Sequence, residues 1–89
     1  MGSSVHSDRY KAFLKRLRTA RLEAGLTQVE VAQRLNQPQS FVSKCESGER
    51  RVDVVELIDF AAIYRKPLLY FVSNIYNSSN VTREQETGE

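Results

Sequence analysis

Apolar residues return at helical spacing early in the chain. Tyr10, Phe13, Leu14, Leu17, Ala20 and Ala24 share a face with Arg21, which predicts an amphipathic helix over residues 8–24 that Gly25 can end. Thr27-Gln28-Val29-Glu30 has the form of a capping box, in which hydroxyl and carboxylate satisfy opposite orphan amides. A helix from Gln28 to Leu35 follows, with Val31, Ala32 and Leu35 inward. Asn36 tolerates left-handed backbone and Pro38 suits the first turn of a new helix, so a short turn joins two short helices. From Gln39 to Ser47 the pattern divides. Phe41, Val42 and Cys45 lie on one side, and Gln39, Ser40, Ser43, Lys44 and Ser47 on the other. That is a third helix, closed by Gly48.

Asp53-Val54-Val55-Glu56 repeats the capping-box logic, and Leu57, Ile58, Ala61 and Tyr64 supply the inward face of a fourth helix ending near Arg65. Pro67 opens the apolar run Leu68-Leu69-Tyr70-Phe71-Val72, continued by Ile75 and Tyr76, which reads as a fifth short helix. Asn77-Ser78-Ser79-Asn80 breaks it. No strand-like alternation competes and no internal repeat is visible. The expected fold is all-α, with five helices in one compact domain over residues 8–76. A loose N-terminus over 1–7 and a disordered polar tail over 77–89 flank it.

Composition narrows the function classes. The 89 residues hold 40% hydrophobic and 27% charged positions, ordinary for one soluble globular domain with one modest core. Cys45 is the single cysteine, so no internal disulfide can form, and no apolar run reaches the roughly 20 residues of a membrane span. A cytoplasmic location is expected. Met1-Gly2-Ser3-Ser4 lacks the features of a signal peptide and reads as a vector remnant as much as native sequence. The net charge is +2 but unevenly placed. Arg9, Lys11, Lys15, Arg16, Arg18 and Arg21 fall in a stretch without an acid, whereas Glu84, Glu86 and Glu89 crowd the tail. A basic run of this kind favours a polyanion, although such runs are often only solvated helix faces.

The second helix, the turn and the third helix form a helix-turn-helix, whose second helix enters the DNA major groove while the first crosses the backbone. Leu17-Arg18, Arg21, Gly25-Leu26-Thr27-Gln28, Val31-Ala32, Leu35, Gln39-Ser40, Val42-Ser43-Lys44 and Glu46-Ser47-Gly48 together resemble the Cro and phage-repressor-like family, also called the xenobiotic-response-element family of regulators. The resemblance spans about residues 13–72. It implies a lambda-repressor-like fold and a transcriptional regulator bound to double-stranded DNA. Asn36 stands where that family often has glycine, and Cys45 where a larger apolar residue is usual.

The outer face of the third helix carries the candidate base-reading set Gln39, Ser40, Ser43 and Lys44. Glutamine can pair with adenine through two hydrogen bonds, lysine can donate to guanine, and serine can meet either base edges or phosphate. The resemblance adds Gln28 as a phosphate contact at a helix N-terminus, where free amides and the dipole suit anions. It places Arg50 and Arg51 near the backbone, and implies an ion pair between Arg21 and Glu46 that ties the first helix to the third. Cys45, on the inward side, reads as a small buried hydrophobe. With one His6 and one cysteine there is no metal site, and neither a cofactor nor a small-molecule ligand is evident.

No phosphate loop, carboxylate pair or histidine-supported nucleophile can be assembled, so an enzyme is not expected. The rival is a protein-interaction module such as an antitoxin or coactivator subunit. That role calls for large exposed apolar residues on the third helix, where this chain is short and polar. One helix-turn-helix reads few base pairs, so a homodimer on a palindromic operator is expected. Leu68, Tyr70, Phe71, Ile75 and Tyr76 of the fifth helix are the candidate interface.

Overall fold

The computed structural model describes residues 7–77. Their elements are α1 (Asp8–Glu23), α2 (Gln28–Leu35), α3 (Gln39–Ser47), α4 (Val54–Tyr64) and α5 (Leu68–Asn77). The segments expected to be loose, apart from Ser7 and Asn77, lie outside the described residues, as do His6 and Met1 to Ser4. Ser7 itself is ordered as the N-cap of α1, its hydroxyl accepting from the Tyr10 amide at 3.1 Å.

Both capping boxes form. The Glu30 amide donates to Thr27 Oγ1 at 3.1 Å while the Thr27 amide donates to Glu30 Oε1 at 2.9 Å, and Asp53 with Glu56 repeats the exchange at 2.7 and 3.0 Å. Each such cap contributes about 1 kcal/mol. Asn36 ends α2 in the left-handed region at φ 59°, where a short polar side chain is tolerated. The Gln37 amide there closes back on Ala32 O at 2.9 Å. Arg65 ends α4 with φ 58°, a conformation that strains a side chain without asparagine's compact polar group by roughly 1 kcal/mol.

Helices of eight or nine residues are marginal in isolation, so tertiary burial must hold α2 and α3. All five helices feed one core of Phe13, Leu17, Ala20, Val31, Ala32, Val42, Cys45, Phe60, Ala61, Tyr64 and Phe71. Full burial of a Phe or Leu side chain stabilises by about 1.5–3 kcal/mol, so α1, which packs on α3, α4 and α5, is the keystone. Cys45 is fully buried, as a small hydrophobe would be, and burial pushes its thiol pKa up.

Two expectations need correction. On α4, Ile58 is 48% exposed and Phe60 is fully buried. This helix is apolar on nearly every side, so its period does not determine its phase and the core chooses. Val54 and Val55 are also exposed. On α5, Phe71 is fully buried within the monomer and therefore cannot serve as a dimer contact. Tyr70 is half-buried, with the Arg16 guanidinium 4.8 Å and Lys66 Nζ 4.6 Å from its ring centroid. Ile75 is half-buried, and the Tyr76 side chain lies outside the described residues. Leu68 and Leu69 stay exposed.

Candidate nucleic-acid interface

Helix α3 seats Val42 and Cys45 in the core and turns the opposite row outward. Gln39, Ser40, Lys44 and Ser47 are exposed and Ser43 is half-buried. The spacing that anchors the helix therefore presents its polar row, as expected for residues that meet a partner.

A chain of hydrogen bonds fixes the base of this row. Arg21 Nε donates to Glu46 Oε2 at 2.6 Å and its Nη2 to Glu46 Oε1 at 3.1 Å, while Nη1 donates to Leu26 O at 3.0 Å. Gln28 Nε2 donates to the same Glu46 Oε1 at 3.0 Å, and Gln39 Nε2 donates to Gln28 Oε1 at 2.8 Å. A buried pair, with side chains 9% and 6% exposed, thus supports an exposed glutamine through one intermediary. Desolvating two charges is tolerable when fork geometry and further donors satisfy them. The bond to Glu46 raises the pKa of Arg21.

Beside this chain lies an open cleft lined by Arg18, Arg21, Gln28, Ser43, Glu46 and Ser47. Arg18 was not singled out as a site residue from the sequence alone. It stands one turn before Arg21 on the same helix, the signal that could have found it. Its side chain is exposed and has no ion-pair partner among the described residues.

The two arginines after α3 part ways. Arg50 Nη1 and Nη2 donate to the two carboxylate oxygens of Glu56, both at 2.8 Å, and Nη1 also to Arg51 O at 3.1 Å. Its guanidinium lies 4.8 Å from the Phe41 ring centroid. The fork expected at phosphate is therefore occupied within its own chain, because Glu56, read only as a capping residue, also reaches the loop. That contact and the Asp53 amide hold the Glu56 carboxyl below the usual range. Arg51 is exposed with its guanidinium 4.4 Å from the Tyr10 ring centroid. Among the described residues no His, Cys, Asp and Glu side chains group as a metal site, and no helix is long and apolar enough to cross a membrane.

A short helix locked across a second, its outer row polar and bordered by cations, defines a DNA-binding module of the helix-turn-helix class. The chain belongs to the helix-turn-helix domain family, whose model matches residues 12–67. It is similar to a solved structure, an XRE-family like protein from Pseudomonas syringae pv. tomato str. DC3000, at 45% identity and a TM-score of 0.71, over 82% of this chain and 89% of that one. No curated protein matches. Membership makes the chain a DNA-binding regulator of the XRE type rather than an enzyme.

Proposed function

We propose that the protein binds a palindromic operator as a homodimer, with α3 of each copy in the major groove. The observation that carries this reading is the hydrogen bond from Gln39 to Gln28. It uses one N–H of the Gln39 amide and leaves the other, together with Oε1, for a base edge. One donor and one acceptor on a single amide are what adenine's N7 and N6 require. Ser40, Ser43 and Lys44 complete the reading row. The remaining Gln28 N–H and the amides at the start of α2 face phosphate, as does Arg51, whereas Arg50 braces the loop. Leu68 and Leu69, exposed apolar residues at the start of α5, form the contact between copies.

Selection of bound sequences from random duplex DNA tests this. The expected result is a twofold palindrome with half-site centres about 34 Å apart, or a multiple. Gln39→Ala should relax one or two positions by about 1–3 kcal/mol, and Leu69→Glu should recover single half-sites. Absence of any enriched sequence would overturn the reading.

A further inference from the structure

The basic face of α1 has no role in the assignment above. Apart from Arg9, exposed in the first turn, its cations divide into two groups. Arg21 is buried against Glu46, and Arg16 lies over the Tyr70 ring. Lys11, Lys15 and Arg18 are exposed, and none has an ion-pair partner among the described residues. Steps of four and three residues put these three side chains on one stripe, which runs about 10 Å along the helix.

The stripe begins at the reading row. Arg18 shares the open cleft with Ser43 and Ser47 of α3. Together with Lys15 it also lines the adjoining depression, which shares Glu46 with that cleft. We infer that α1 is a second DNA-contacting element, in which Arg18, Lys15 and Lys11 grip the phosphate backbone bordering the groove that α3 enters. This rests on the reading that α3 lies in the major groove. With α3 seated there, side chains at the rim of its cleft face the flanking strand. Three unpaired cations in a row match a phosphodiester chain and carry no base information. The sequence's basic run thereby separates into a structural part and a binding part.

The test compares two doubly substituted proteins of equal charge. One is Lys15→Gln with Arg18→Gln. The other is Arg34→Gln with Arg65→Gln, exposed positions on α2 and at the end of α4 and away from the cleft. Affinity for the selected operator and for an unrelated duplex is measured against salt concentration. Each lost phosphate contact should lower the slope of log K against log salt by about 0.9. The first protein should therefore lose nearly two units on both duplexes with its base preferences intact, and adding Lys11→Gln should lower the slope further. The second should keep the wild-type slope. Equal slopes for both proteins, or an equal loss in both, overturn the inference while wild-type operator binding stands. Failure of the wild-type protein to bind any duplex instead overturns the reading on which the inference rests.

Discussion

Two arginine–glutamate forks of similar geometry sit near the C-terminal end of α3, one on its last turn and one in the loop that follows, and they do different work. Arg21 and Glu46 meet in the interior with side chains 9% and 6% exposed, whereas Arg50 and Glu56 meet at the surface with 43% and 22% exposed. Water competes for the second pair and has little access to the first. The buried fork therefore acts as an obligate part of the fold, since either member alone would be an uncompensated charge. The surface fork fastens the loop after α3 to the start of α4 and yields to solvent and salt. Hydrogen-bond distances of 2.6 to 3.1 Å in one and 2.8 Å in the other do not reveal this difference. Burial does.

The contrast is broken most forcefully at the interior pair. Arg21→Ala or Glu46→Ala should each destabilise the protein by about 3 kcal/mol or more, with strong coupling in a double-mutant cycle followed by urea unfolding. Additive single effects would place this fork in the same class as the surface one. Glu46→Ala should in addition weaken the base preference assigned to Gln39, because Gln28 loses its acceptor.

A smaller effect sharpens the interior side. The Tyr64 hydroxyl is buried without a hydrogen-bond partner among the described residues, and its titration is influenced by Glu46 and Arg21. Tyr64→Phe removes an unsatisfied polar atom and should stabilise by about 1 kcal/mol. Burial raises the Tyr64 pKa, so its contribution is whole below the ordinary value of about 10 and is lost as pH rises through the folded value. The phenylalanine protein should lose less stability in that alkaline window, as read by denaturation at several pH values.

The smallest effect belongs to the surface fork. Arg50→Ala should leave the melting temperature near that of the wild type, with the difference shrinking at high salt. Its clearer signature is a titration. Glu56 is held low first by Arg50 and then by the Asp53 amide, so its contribution is present above the ordinary carboxylate pKa of about 4.3 and lost as pH falls through the folded value. In Arg50→Ala the Glu56 carboxyl should titrate higher, which NMR of the side chain would detect. An unmoved titration would mean that the cap alone sets it.

Helix boundaries were legible because they are local. Thr27 with Glu30, Asp53 with Glu56, and Asn36 each announce themselves within a few residues. Phase was not legible where apolar residues surround a helix, which is why Ile58 was expected inward and Phe71 outward. The interior fork was recognisable only through family resemblance, since twenty-five residues separate Arg21 from Glu46. Nothing local indicated that Arg50 would turn to Glu56 or Gln28 to Glu46, because a surface loop and an exposed amide choose partners only after the helices have packed. Arg18 was missed for a related reason. A basic run looks uniform until packing assigns some of its members to the interior.

The link from Gln39 through Gln28 to Glu46 has a bearing on how operator preference can diverge among descendants of this chain. The reading residue is on α3, its support is on α2, and that support hangs from a carboxylate that α1 needs. A substitution at Gln39 releases Gln28, and one at Gln28 disturbs Glu46, so new specificities at this position are epistatic with stability. A graft of a foreign α3 surface onto this scaffold should therefore inherit the donor's preference only when the residue at position 28 travels with it.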